Sequence, residues 1–168
     1  AASSDEDENS SYGSSDSSAA GTWVSRGSLK DRNSEIWIGP IKCIAYSLDG
    51  KMLAVGGGGD DGFLQVYDVI DNYSLLHDVR GHQYCVNTVC FSPDSQRFYS
   101  TAWKSLRLWN TPVKGVKWVK KITVNRAHME CVVRSECCPA GNLLSTIAED
   151  RVLKIWCART LELKFIAD

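Results

Sequence analysis

The stretch GHQYCVNTVCFSPDSQRFYSTAWKSLRLWN, residues 81–110, decides the fold of this chain. A Gly-His pair opens it, and apolar, β-favouring residues then recur up to Phe91. The Ser-Pro-Asp-Ser sequence at 92–95 is typical of a turn, and two short β-rich runs follow, the second ending at residues 106–110. The pattern predicts three strands of an antiparallel meander.

The same order of features recurs on both sides of this stretch. Tyr67 and Trp109 are 42 residues apart, and Trp109 and Trp156 are 47 apart. One four-stranded repeat unit takes about 40 to 45 residues. No stretch shows helical periodicity, so we expect an all-β repeat protein. The three predicted units cover about residues 39–80, 81–126 and 127–168.

The motifs of the central unit resemble the repeat of the WD-repeat β-propeller family. They are Gly81-His82, the segment 91–94 (FSPD) and the segment 108–110 (LWN). The resemblance implies a partial β-propeller of about three four-stranded antiparallel blades over residues 34–168. Because a closed ring takes about four to eight blades, we expect further blades from the full-length chain, or association. Residues 46–56 and 66–69 are also similar to propellers of the echinoderm microtubule-associated protein-like group.

The family resemblance implies a buried hydrogen-bond network in each blade, made of His, Ser or Thr, Trp and Asp. The third unit has all four residues: His128, Thr146, Asp150 and Trp156. The second unit has three of them: His82, Ser100 and Trp109. The first unit keeps only the acid, Asp61, with Tyr67 in place of Trp. We interpret these residues as structural, in preference to a catalytic His-Asp-Ser set.

A partner-binding rim is predicted where two kinds of turn emerge at the same end of each blade. Successive antiparallel strands reverse direction, so the turn that precedes each blade and the turn between its second and third strands share one end. The predicted rim residues are Asp60, Gln83, Tyr84, Trp103, Lys104, Met129, Glu130, Glu149 and Arg151. Trp103 stands where the family usually keeps the acid. It either faces a partner or folds back onto a neighbouring blade.

The charge of the chain is balanced in total but unevenly distributed. It holds 19 Lys and Arg against 20 Asp and Glu, a net charge of −1. Residues 1–20 contain five of the acidic residues and none of the basic ones. Ser and acidic residues dominate residues 1–33, which are predicted to be a disordered tail. The most basic window, 113–126, either meets an acidic partner or protects an edge strand from aggregation. Without the first 20 residues the chain has 19 basic and 15 acidic residues, an excess too small to indicate nucleic-acid binding through bulk charge.

Several common site types are disfavoured by the sequence. Seven cysteines, an odd number without a C-x-x-C pair, indicate reduced thiols in a reducing compartment. No apolar run approaches the roughly 18 residues of a membrane span. The Gly-rich stretch 56–62 has no helix pattern after it for a phosphate loop and too few oxygen ligands for a calcium loop. We expect a turn there, no cofactor or metal, no membrane association, and a cytoplasmic location, with the nucleus as the alternative.

These features favour a non-catalytic protein–protein interaction scaffold over an enzyme. The expected partners are other proteins, in a multiprotein complex or, from the narrower resemblance, in a cytoskeletal setting with tubulin. The alternative is a regulatory or substrate-recruiting part of an enzyme complex whose catalytic portion lies outside this chain. Further blades in the flanking sequence would favour the scaffold, and an appended catalytic motif the alternative.

Overall fold

A computed structural model of the chain describes residues 39–113 and 120–168. The predicted disordered tail lies outside the described residues, as do residues 34–38, which the sequence predicts as a strand, and residues 114–119 of the basic window. Within the described parts the strands form three four-stranded sheets, and each sheet is a meander of strands in sequence order. The prediction of an all-β fold built from four-stranded antiparallel units is confirmed.

Each sheet is one blade, with four strands in chain order. The first blade comprises β1 (Ile41–Tyr46), β2 (Met52–Gly58), β3 (Gly62–Asp68) and β4 (Ser74–His82). The second comprises β5 (Val86–Phe91), β6 (Arg97–Ala102), β7 (Ser105–Asn110) and β8 (Lys120–Val124). The third comprises β9 (Val132–Cys137), β10 (Leu143–Ala148), β11 (Leu153–Cys157) and β12 (Leu163–Ala167).

Three strand boundaries differ from the sequence prediction. The Gly-His pair ends β4 of the first blade, whereas we expected it in the turn that opens the second. The sequence predicts that β2 ends at Gly56, but the strand continues to Gly58. The backbone there lies so close to its neighbours that a Cβ on Gly57 would collide with the Pro40 carbonyl oxygen. A Cβ on Gly56 would lie 2.7 Å from Cγ1 of Val86 in the next blade. The sequence predicts that β12 begins at Leu161, but it begins at Leu163 because Leu161 is held in a turn with a φ of 56°.

In each of the first two blades, a Ser-Asp pair closes the turn between the first and second strands. The Ser92 hydroxyl accepts a hydrogen bond from the Arg97 amide at 3.0 Å and donates one to the Asp94 carboxylate. This hydroxyl bond is the main reason that the pKa of Asp94 falls to about 2. Ser47 and Asp49 repeat the arrangement in the first blade. Two-sided hydrogen bonding of this kind fixes a turn against its strands.

Two apolar cores lie between the blades. The first joins the first and second blades and includes Leu64, Val86 and Phe98. The second joins the second and third blades and includes Tyr99 and Leu144. Burial between stacked sheets is the main stabilising contribution in such a repeat arrangement.

The two end blades leave apolar side chains exposed on their outward faces. Ile44 on the first blade is 63% exposed, and Phe165 on the third is 56% exposed. Tyr46 and Ile147 are also exposed, beside them on the same faces. Exposed apolar faces of this kind usually mark a surface that another element covers.

Candidate functional site

The third blade contains a continuous chain of hydrogen bonds across its strands and turns. The Trp156 indole nitrogen on β11 donates to the Thr146 hydroxyl on β10 at 2.8 Å. The same hydroxyl lies 2.8 Å from Nε2 of His128, and Nδ1 of His128 lies 3.1 Å from an Asp150 oxygen. The Asp150 carboxylate also accepts the backbone N–H of Met129. Two turns and two strands are thereby fixed to one another.

The direction of each bond follows from the donors and acceptors available. The Asp150 carboxylate only accepts, so Nδ1 of His128 carries a proton. Burial lowers the pKa of His128, and the nearby carboxylate only partly offsets this, so the neutral ring is favoured. Nε2 of the neutral ring is then an acceptor, and the Thr146 hydroxyl donates to it. The chain runs from Trp156 through Thr146 and His128 to Asp150.

The second blade has a shorter version of this network. The Trp109 indole nitrogen donates to the Ser100 hydroxyl at 2.7 Å, and that hydroxyl lies 2.8 Å from Nε2 of His82. The turn between β6 and β7 holds Trp103 and Lys104 in place of an acid. The structure therefore brings together the three predicted residues of this blade.

The first blade does not assemble its predicted pair. Asp61 is exposed in the turn between β2 and β3. The Tyr67 hydroxyl donates to the Gln65 side chain at 2.7 Å within strand β3. The carboxylate and the phenol thus take part in separate local structures. Without a His in the preceding turn, nothing bridges them.

The His-Asp-Thr geometry of the third blade superficially matches a catalytic triad but is closed to substrate. His128 and Thr146 are 1% exposed, and the Thr146 hydroxyl is already bonded on both sides. A nucleophile must reach its substrate, so this buried set is unsuited to nucleophilic catalysis. Burial raises the pKa of Cys43 and of Cys90 to about 12, which keeps both thiols protonated and poorly nucleophilic at neutral pH.

The predicted rim is centred on an aromatic pair. The rings of Tyr84 and Trp103 meet edge to face, with centroids 4.6 Å apart. Nζ of Lys104 lies 4.8 Å from the Trp103 ring centroid and 3.5 Å from a Glu130 carboxylate oxygen. Trp103 remains 42% exposed. The indole therefore leans on a neighbouring turn and still presents part of its surface to solvent.

Backbone contacts lock these turns together. The Trp103 carbonyl accepts the Val132 N–H at 2.8 Å, and the Lys104 carbonyl accepts the Ala127 N–H at 2.8 Å. On the other side, a Cβ on Gly62 would collide with the Tyr84 carbonyl oxygen, so only glycine permits this approach. Turns from all three blades thus form one continuous surface.

The other predicted rim residues lie at the edges of this surface. Gln83 and Met129 line a groove of about 570 Å³ beside Trp103. Asp60 is exposed in the turn between β2 and β3. Glu149 and Arg151 are exposed in the turn between β10 and β11, and Arg151 has a φ of 66°.

The prediction missed Arg107, which projects from β7 into the same groove. Its sequence context, an alternating Leu-Arg-Leu-Trp run, reads as a strand with one polar face. Only the juxtaposition with the turns of the neighbouring blade places its guanidinium in a concave surface.

Two other site types are absent from the described parts of the chain. No group of three or more His, Cys, Asp or Glu residues there is placed to hold a metal ion. The same residues include no helix that is long and apolar enough to cross a membrane.

Three four-stranded meanders, stacked through two inter-sheet cores, define a β-propeller arrangement. Among solved structures, the Chaetomium thermophilum protein Sqt1, bound to the N-terminus of the ribosomal protein L10, is similar with a TM-score of 0.64. The identity is 20%, and the match covers 75% of this chain and 33% of Sqt1. The profile described as "WD domain, G-beta repeat" matches residues 33–68 and 73–110. These two segments are therefore similar to the WD40 repeat.

Two curated relatives are similar to most of this chain. Transducin beta-like protein 3 of Bos taurus is 29% identical over 73% of this chain, and protein tipD of Dictyostelium discoideum is 27% identical over 84%. The chain spans only 15% and 23% of the length of these two proteins. Neither they nor Sqt1 belongs by name to the echinoderm microtubule-associated group. The comparisons give that narrower resemblance no support.

Proposed function

We propose that this chain is a non-catalytic protein-interaction module of the WD-repeat type, which binds a partner protein at the rim around Trp103. The observation that carries this proposal is a large indole that remains 42% exposed while a Tyr ring and a Lys side chain hold it in place. Preorganised Trp and Tyr side chains are the residues most enriched at binding hot spots.

The backbone at Trp103 supports the same conclusion. Its φ of 48° lies in the left-handed region, which a bulky residue adopts at a cost of about 1 to 3 kcal/mol. Hydrogen bonds from the next blade hold the turn in this conformation. Backbone strain that the surroundings hold in place is common at binding sites.

The comparisons favour binding over catalysis. WD-repeat proteins generally act as interaction scaffolds, and Sqt1, which shares the fold, is seen bound to the terminus of another protein. The relatives named above lend no support to a cytoskeletal setting, so we leave tubulin out of the proposed partners. The alternative function, recruitment within an enzyme complex, needs the same binding activity, with an enzyme as the partner.

The test is affinity capture by the full chain, followed by quantification of the captured proteins. Trp103→Ala should reduce specific capture at least tenfold while leaving the melting temperature nearly unchanged, since the ring is half-exposed. Leu48→Ala is the control, because Leu48 is 75% exposed in a turn at the opposite end of the blades. Equal capture by both variants would refute the rim as the binding surface. A catalytic protein among the rim-dependent partners would identify the recruiting role.

A further inference from the structure

The groove beside Trp103 has a basic floor and an apolar wall. It lies between the β4–β5, β6–β7 and β8–β9 turns and measures about 570 Å³. Arg107, Lys104 and Arg126 supply its charge, and its lining contains no Asp or Glu among the described residues. Trp103, Tyr84 and Met129 supply its exposed apolar surface.

Arg107 is the residue of the groove that most strongly indicates a bound ligand. Its Nε atom is buried and has no hydrogen-bond partner among the described residues. Its guanidinium carbon lies 6.0 Å from the Trp109 ring centroid. A buried donor left unpaired destabilises a fold, whereas a guanidinium that pairs with a carboxylate makes two parallel hydrogen bonds.

The positive charge of the groove is only partly neutralised. Glu130 pairs with Lys104 at 3.5 Å. Across residues 39–113 and 120–168, no described carboxylate lies within ion-pair distance of Arg107 or Arg126. Two cations therefore face the groove without a counter-charge, which creates a local field that attracts an anion.

We propose that this groove binds an acidic segment of a partner protein, in which a carboxylate side chain pairs with Arg107 and a neighbouring apolar side chain packs on Trp103. The assignment rests on the proposed function and specifies the chemistry of the partner. Arg107 and Arg126 could together pair with one or two carboxylates of such a segment. A nucleic acid would present a phosphate at every nucleotide and needs a longer basic track.

The test measures binding of two fluorescein-labelled hexapeptides to the full 168-residue chain by fluorescence anisotropy. One peptide is Glu-Asp-Phe-Glu-Asp-Glu, and the other is its uncharged counterpart Gln-Asn-Phe-Gln-Asn-Gln. The acidic peptide should bind at least tenfold more tightly and should weaken as salt is raised. Arg107→Gln should weaken its binding about tenfold or more, and the exposed Arg126→Gln about two- to fivefold.

The control variant is Arg134→Gln, since Arg134 is 74% exposed on the outward face of the third blade and away from the groove. Its affinity for the acidic peptide should match that of the unchanged chain. If Arg107→Gln does not fold, Arg107→Lys keeps the charge without the planar fork and should bind with intermediate affinity. Thermal unfolding of each variant separates folding from binding.

Three outcomes would overturn the assignment. They are equal affinity for the two hexapeptides, an equal loss in Arg134→Gln and Arg107→Gln, and more effective displacement of the acidic peptide by single-stranded oligouridine than by unlabelled peptide. If any of these occurs while Trp103→Ala still abolishes partner capture, the acidic specificity is wrong and the protein-binding function stands.

Discussion

Replacing Trp156 with Ala should lower the free energy of unfolding by about 3 to 5 kcal/mol. The indole is 4% exposed and packs in the core between the second and third blades, with Leu144 and Leu161. Removing a ring of this size from a packed core leaves a cavity, which accounts for most of the loss. The lost hydrogen bond to Thr146 adds about 0.5 to 1.5 kcal/mol within this range, because the hydroxyl keeps its bond to His128.

Urea denaturation followed by far-ultraviolet circular dichroism measures this loss without relying on tryptophan fluorescence. Trp156→Phe is the matched variant, because it keeps a buried aromatic ring while removing the indole donor and part of the ring volume. It should lose about 1 kcal/mol. A loss below about 1 kcal/mol for Trp156→Ala would show that the ring is not buried and that β11 is wrongly placed.

The remaining predictions concern pH and association. Burial lowers the pKa of His128 below its usual value of about 6.5. As the pH falls below about 6.5, His128 is therefore protonated in the unfolded chain before it is protonated in the folded one. Stability measured by urea titration should therefore fall from pH 7.5 to pH 5.5, and His128→Gln should flatten the slope. Asp94, with a pKa of about 2, should contribute stability that is lost from about pH 4 downward, and Asp94→Asn should remove that part of the acid transition. Light scattering should show concentration-dependent association of the chain through its outward faces, reduced by Phe165→Glu, whereas a monodisperse monomer at all concentrations would contradict this.

The sequence predicted the strands well because each blade is specified locally. The signals that specify one blade lie within a single repeat of about 45 residues. They are turn motifs, such as the one at residues 92–95, and regularly spaced aromatic residues. The boundary error in β2 came from close contacts with the backbone. The glycines at 56–58 resemble a turn, yet they belong to β2: a Cβ on Gly57 would collide with the Pro40 carbonyl oxygen, and one on Gly56 would crowd Val86 of the next blade. No local pattern encodes that approach.

The sequence was sufficient to predict which turns form the candidate site, but not the charge interactions within it. Antiparallel connectivity was enough to suggest that Trp103 and Tyr84 emerge at the same end. The pairing of Lys104 with Glu130, 26 residues later, depends on how two blades stack. So does the position of Arg107, whose burial and missing counter-charge arise only when turns of different blades enclose it.

Hydrogen exchange of the full chain, with and without a captured partner, shows which surface the partner covers. The account predicts slower exchange of backbone amides at residues 83–86, 103–105 and 129–132, which form the rim. It predicts unchanged exchange at residues 47–51 and 92–97, in the turns at the opposite end. Protection confined to those opposite turns, or to the outward blade faces, would contradict binding at the rim.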